Sequence, residues 1–286
     1  MNSPAQPLTP ADHDREAAGM RYVYPVVSRR AAGVSVGINL NPNNACNWRC
    51  IYCQVPDLRR GGPPAIDLAR LERELHEMLT AILHGDFMQR HVPEGMRRLN
   101  DIALSGNGEP TSAREFPEVI DLVGRVIETF GLTGAIKLVL ITNGSLAHRP
   151  AVQAGIRRMA GLNGEVWFKF DRATASGMRR VNDTTTRPEA HFKRLGQVAA
   201  LCPTWIQTCM FALDGAPPDE AELAAYLDML RQAVAARSPI EGVLLYGLAR
   251  QPMQPEAVRL SPLPPAWLEA LARRIEEAGL PVRLTP

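Results

Sequence analysis

Residues 34–53 read VSVGINLNPNNACNWRCIYC. The first seven, Val34–Leu40, are an apolar run with β-branched residues, and such a run ending at Asn and Pro reads as a buried strand. Three of the chain's five cysteines, Cys46, Cys50 and Cys53, follow at once. What lies beyond decides how that strand is used. Leu68, Leu71, Leu75, Leu79 and Ile82 recur at helical spacing and predict a helix over 67–84. Ile102–Ser105 reads as a short strand. Ser112 and Glu115 have capping-box spacing, and the stripe Phe116, Val119, Ile120, Val123, Ile127, Phe130 predicts a helix that stops at Gly131.

The alternation continues with a strand at 136–142 (IKLVLIT), a helix around 150–160, a strand at 165–170 (EVWFKF) and a helix within 187–201. A strand at 204–211, a helix at 219–236 and a strand at 242–248 follow, then a helix near 265–278 stopped by Gly279, and the short apolar segment Val282–Leu284. Apolar strands alternating with helices give a parallel sheet covered on its outer face. Six such units predict an α/β protein, a partial (β/α)6 TIM-like barrel of parallel strands with short N-terminal and C-terminal extensions. Residues 1–20, with Pro4, Pro7 and Pro10, read as a disordered tail. Residues 21–286 then form a single domain, its barrel core at about 34–248 and its C-terminal helix and short strand within 263–286.

Composition narrows the class. With 45% hydrophobic and 22% charged residues the chain is an ordinary globular protein, neither disordered nor disulfide-dense. Its 32 basic and 30 acidic residues nearly cancel, so the total charge carries no footprint of a nucleic-acid or acidic-membrane partner. The N-terminus has no basic stretch followed by an apolar run, and nothing approaches 20 uninterrupted apolar residues. The expectation is a cytoplasmic protein without a membrane segment. In a reducing compartment an odd number of cysteines points to metal binding or reactive thiols rather than a disulfide framework.

Three thiolates within eight residues can converge on a soft metal centre, either iron–sulfur or zinc. A structural zinc site wants a fourth ligand, and Cys202 and Cys209, six residues apart in between, do not supply the usual pair. A four-iron cluster on three protein ligands keeps one iron open, and an open metal position is where chemistry happens. In a parallel barrel the loop after a strand lies on the face where active sites assemble.

The spacing Cys46-x3-Cys50-x2-Cys53, with an aromatic before the last cysteine, resembles the radical S-adenosylmethionine (SAM) superfamily. The resemblance implies that Cys46, Cys50 and Cys53 hold a [4Fe-4S] cluster whose remaining iron is chelated by S-adenosyl-L-methionine. It also implies reductive cleavage of SAM to a 5′-deoxyadenosyl radical, and a reductant such as flavodoxin or ferredoxin as partner. Ser105-Gly106-Asn107-Gly108-Glu109-Pro110, after the next strand, resembles the segment that receives the methionine end of SAM. Glycines admit a close backbone approach there, and Glu109 can accept from an ammonium.

Thr142-Asn143-Gly144 resembles a segment near SAM in several branches, although a tight turn explains it equally well. Lys169 and Asp171 end the fourth strand, where the family places groups that contact SAM or substrate, and they are the candidate catalytic residues. A snorkelling lysine is the alternative. Tyr52 is a candidate wall for adenine, with core packing as its alternative, and Tyr246-Gly247-Leu248 are either backbone for adenine or simply a strand end. His148 and His191, near strand ends, are weaker candidates.

Tyr24-Pro25-Val26-Val27-Ser28-Arg29-Arg30, with Gly33 and Gly37, resembles a narrower branch of iron–sulfur oxidoreductases distantly similar to wyosine-type tRNA modification enzymes. That resemblance leaves an RNA nucleoside, a protein or a metabolite as the substrate. Trp205–Asp214 lacks the glycine-rich motif of many members, and the two spare cysteines cannot build an auxiliary cluster. The competing class is a non-catalytic iron–sulfur electron carrier or metal-binding module, which requires a closed four-ligand site.

Overall fold

The structure is a computed structural model that describes residues 19–28, 33–248 and 250–285. The disordered tail expected at 1–20 and the Arg29-Arg30 pair fall almost wholly outside them. Eight strands form one sheet in chain order: β1 (Val23–Ser28), β2 (Gly33–Ile38), β3 (Leu99–Leu104), β4 (Lys137–Thr142), β5 (Gly164–Lys169), β6 (Thr204–Cys209), β7 (Ile240–Tyr246) and β8 (Val282–Thr285). From β2 onward every neighbour is parallel, and β1 runs antiparallel to β2. Among the described residues no ladder joins β8 to β1, so the barrel is partial.

Each parallel step is made by helices: α1 (Leu68–Leu83), α2 (Phe116–Thr129), α3 (Pro150–Ala160), α4 (Ala175–Asn182) with α5 (Pro188–Ala199), α6 (Glu220–Ala235) and α7 (Pro265–Glu277). Side-chain alternation with period two sorts each strand into two faces. Val36, Ile38, Ile102, Leu104, Leu138, Leu140, Val166, Phe168, Ile206, Val243 and Leu245 are fully buried in the core. The opposite face presents Ser35, Gly37, Asp101, Ala103, Trp167, Lys169, Gln207, Cys209 and Tyr246 to an open lumen. One glycine there is required by contact, because a Cβ at Gly37 would collide with the Tyr24 ring on β1.

Helix ends follow local chemistry. The Asp67 side chain accepts from Arg70 N and opens α1. Gly131, at φ +64°, closes α2, with Gly131 N bonded to Glu128 O and Leu132 N to Ile127 O.

Four sequence expectations need correction. Ser112 and Glu115 form no capping box: Pro110–Ser112 make a separate 3-10 turn whose N–H at Thr111 is taken by the Glu109 side chain, and α2 begins behind Glu115 without a side-chain cap. Residues 23–28, read only as a motif, form a strand of their own, antiparallel to β2, whereas the short strand expected within 263–286 is there as β8, paired with β7. Helix α4 was not anticipated, since Met178 and Val181 are the apolar side chains of its buried face, shared with Gly177 and Asn182; the Thr174 cap accepting from Gly177 N is its local signal. The strand expected at Val34–Leu40 stops pairing at Ile38, where Asn39 N turns to Tyr22 O.

Candidate active site

The lumen opens at the C-terminal ends of the strands into a cavity of about 340 Å³. It brings together Cys46, Cys50, Cys53, Tyr52, Gly106, Asn107, Gly108, Glu109, Asn143 and Lys169, and of the candidate residues read from the motifs it leaves out Asp171. Their convergence comes from strand order, because the cysteine loop follows β2 and the glycine segment follows the adjacent β3.

The cysteine loop is pinned from several sides. Cys46 lies in a two-residue bridge with Arg59–Arg60, and Cys53 N turns back to Cys50 O at 2.9 Å. The C-terminal end of α4 holds the middle: Arg49 N bonds Asn182 O at 3.2 Å and Ile51 N bonds Val181 O at 2.9 Å. The Arg49 guanidinium forks onto Glu256 at 2.8 and 2.7 Å and reaches Asp183 at 3.1 Å. Beneath the loop, buried Trp48 meets the His191 ring, which is itself packed on Phe168 and Phe170. Burial depresses His191 to about 4, so it stays neutral; its Nε2 faces Lys169 O at 2.9 Å, which makes it a wedge under the loop rather than a ligand.

No disulfide joins the cysteines. Burial pushes the Cys46 thiol up to about 11 and Cys50 higher still, while Asn182 Nδ2 donates to Cys50 Sγ at 3.3 Å. Desolvated thiols are costly to ionise, and although Lys169 pulls Cys50 down, burial wins, so a further positive centre favours thiolates in this loop. Among the described residues no three His, Cys, Asp or Glu side chains converge as ligands of one metal ion do. A four-iron cluster does not ask that of them, because it offers each thiolate a separate iron.

The glycine segment is fitted to the cysteine loop. A Cβ at Gly106 would collide with Asn39, and one at Gly108 with Ala45 O, the residue before Cys46. Asn107 N bonds Asn39 Oδ1 at 3.0 Å and its amide bonds Asn44 Oδ1 at 2.6 Å. Glu109, 2% exposed, receives Thr111 N, Thr111 Oγ1 and Thr142 Oγ1 on one oxygen and Asn143 N on the other. Most of its lone pairs are spent on the protein. It knits β3 to β4, and burial raises its pKa against those bonds. Asn143 Nδ2 in turn donates to Asn47 Oδ1 at 2.8 Å, carrying the connection into the cysteine loop.

On the opposite wall Lys169 Nζ donates to Tyr52 OH at 2.8 Å and to Tyr246 OH at 3.3 Å. Burial is the largest single influence and lowers its pKa, but Tyr246, Asp171, Cys50 and Cys209 together outweigh it and the ammonium is held charged. Asp171 lies behind Tyr52, outside the cavity wall: it accepts Tyr52 OH at 2.5 Å, Asn182 Nδ2 at 2.7 Å and Cys209 N at 2.9 Å. Asp171 thus braces Tyr52 and the Asn182 end of α4 from behind the wall. His148 is exposed. Arg49 and Glu256 escaped sequence reasoning as site residues, as did Asp101 and Gln207; a charged residue inside the apolar strand 99–104 was the available signal for Asp101.

A radical SAM methyltransferase from Sphaerobacter thermophilus superposes with a TM-score of 0.53 over 88% of this chain and 66% of that one, at 13% identity. The chain has the radical SAM fold. A structure of TYW1 with a lysine-pyruvate adduct bound gives a TM-score of 0.57 over 88% of this chain and 74% of that one, at 14% identity, a likeness of fold alone. A UPF0026 protein of Helicobacter pylori strain J99 is 31% identical over 160 residues, 55% of this chain and 44% of that protein. A UPF0026 protein of Synechocystis, slr1464, is 26% identical over 161 residues, 56% of this chain and 52% of that protein. A protein named GTPase Obg from Brachyspira hyodysenteriae is 25% identical over 132 residues, 17% of its length. The present sequence has no Gly-x4-Gly-Lys-Ser/Thr phosphate loop. The chain thus spans about half or less of these curated relatives, and no protein-family model matches it. Among the described residues no helix is long and apolar enough to cross a membrane.

Proposed function

We propose that the chain is a radical SAM enzyme in which Cys46, Cys50 and Cys53 hold a [4Fe-4S] cluster and the cavity beside them takes S-adenosyl-L-methionine. The observation that carries this reading is the meeting of three cysteines and the Gly106–Glu109 segment at the mouth of one barrel lumen. When bound and reduced, such a cluster supplies the electron that cleaves SAM to methionine and a 5′-deoxyadenosyl radical able to abstract hydrogen from substrate.

The chain's own residues supply position and charge. Backbone of Gly106, Asn107 and Gly108 borders the methionine end of the ligand, with Glu109 and Asn143 holding that backbone in place. The Tyr52 ring provides a face for adenine. Lys169 presents a fixed positive charge to a carboxylate, its proton retained by the surrounding phenols and Asp171. The electron comes from a reductant such as flavodoxin or ferredoxin, in the cytoplasm, and the substrate is an RNA nucleoside, a protein or a metabolite.

The test is anaerobic reconstitution, reduction and addition of SAM, with 5′-deoxyadenosine and methionine read by mass spectrometry. Both products are expected, and Cys46→Ala, Cys50→Ala and Cys53→Ala should each abolish them. A full cluster that neither binds nor cleaves SAM would favour the iron–sulfur electron carrier, and full cleavage by any one variant would overturn the ligand set.

A further inference from the structure

The C-terminal end of α4 meets the cysteine loop at its middle cysteine. Arg49 N bonds Asn182 O and Ile51 N bonds Val181 O, so the residues on both sides of Cys50 are tied to the last turn of one helix. Between those two bonds the Asn182 amide reaches the sulfur: Nδ2 lies 3.3 Å from Cys50 Sγ and 2.7 Å from Asp171 Oδ2. Asn182 is 1% exposed, and it stands outside the lining of the cavity.

The direction of each bond follows from what each group can offer. Lys169 has only donors, so Tyr52 OH accepts from it at 2.8 Å and sends its own hydrogen to Asp171 Oδ2 at 2.5 Å. The other Asp171 oxygen takes Cys209 N at 2.9 Å. A carboxylate accepts only, and it therefore draws the NH2 end of Asn182, not the carbonyl, toward itself. One N–H of that amide is spent on Asp171, and the second is left for the sulfur. Drying an amide is costly, and what this one gains is a hydrogen bond to a thiol that the cysteine spacing marks as a metal ligand.

A hydrogen bond to a cluster thiolate acts on its redox poise. The donor draws negative charge from the sulfur, and a reduced cluster carries one more negative charge than an oxidised one, so the donor favours the reduced form.

We propose that Asn182 is a positioning residue of the redox centre, its amide held by Asp171 so that it donates to Cys50 and raises the potential at which a cluster on Cys46, Cys50 and Cys53 takes up an electron. The inference rests on the reading of those three cysteines as cluster ligands. Asn182 then governs reduction without touching SAM or substrate.

The test uses the full-length chain with its cluster rebuilt anaerobically and no SAM added, the midpoint potential being read by EPR during reductive titration. Asn182→Leu keeps the bulk and removes the donor. Its reduction equilibrium should fall about tenfold, which for one electron is a midpoint lower by about 59 mV. Val181→Ala loosens the same helix end without touching the amide and should keep the parent's potential. Thermal melts and iron and sulfide contents should show both variants folded and loaded. Should Asn182→Leu fail to fold, Asn182→Ser, smaller and too short to reach the sulfur, carries the same expectation. An unchanged midpoint in a folded, loaded Asn182 variant, or an equal drop in Val181→Ala, would overturn the proposal. A folded Asn182 variant that no longer takes up iron would make the residue a clamp on the loop and overturn it as well. A parent that binds no iron would overturn it together with the ligand assignment, whereas the expected shift in a protein that fails to cleave SAM would support it and count against the reaction.

Discussion

The Arg49 guanidinium closes a two-pronged ion pair on Glu256, at 2.8 and 2.7 Å, and so fastens the residue before Cys50 to a segment 207 positions later in the chain. Both groups are partly shielded and the geometry is bidentate, the arrangement in which an ion pair exceeds the small worth of an exposed one. Glu256→Gln should cost about 1 kcal/mol in urea unfolding and make the rebuilt cluster easier to strip with a chelator. Unchanged chelation kinetics would show that the loop holds its shape without this strut.

Gly108 is set against the carbonyl of Ala45 with no room for a Cβ. Gly108→Ala must push the glycine segment away from the cysteine loop, and a backbone collision of this kind costs about 2–4 kcal/mol. Calorimetry and SAM titration should show lowered stability and lost SAM affinity together. A normal melt with normal affinity would mean the two segments part easily.

Glu109 answers four donors from Thr111, Thr142 and Asn143. Glu109→Ala strands them in the interior and should cost about 3–5 kcal/mol, with SAM binding weakened as the Asn143 turn relaxes. Glu109→Gln, keeping the shape and one acceptor oxygen, should recover part of both. If Glu109→Ala melts like the parent, the four contacts carry no net stability.

Asp101 makes stability depend on pH in a stated direction. Its folded pKa, about 6, lies above the ordinary 3.8, so the neutral acid is the form the fold prefers. The associated stability is fully present below about pH 4 and is lost as pH rises through 6, the ionised group then costing about 3 kcal/mol. Ser35 donates to it, and Glu165, with Lys137 beyond it, is the charged group it faces. Asp101→Asn should therefore be the more stable protein at pH 8 and equal to the parent near pH 4, by urea midpoints at both. Equal midpoints at pH 8 would place the Asp101 carboxylate in water.

The sequence by itself determined what depends on near neighbours: the alternation of apolar strands and helices, the cysteine spacing, and the glycine segment after the next strand. These are legible because strand and helix periodicity and ligand spacing are properties of a few adjacent residues. Helix α4 was not, since its apolar face is two residues wide and becomes amphipathic only against the cysteine loop it clamps. Nor was the strand at 23–28, which becomes one only by lying antiparallel on β2. Tertiary structure alone decided which polar groups spend their bonds on the protein and which face the lumen. It turned Asp171 inward behind Tyr52, used up most of Glu109, and left Gln207 Oε1 buried without a partner. Hydrogen bonds and burial join residues a hundred positions apart, and no local pattern in a chain encodes who will stand opposite whom.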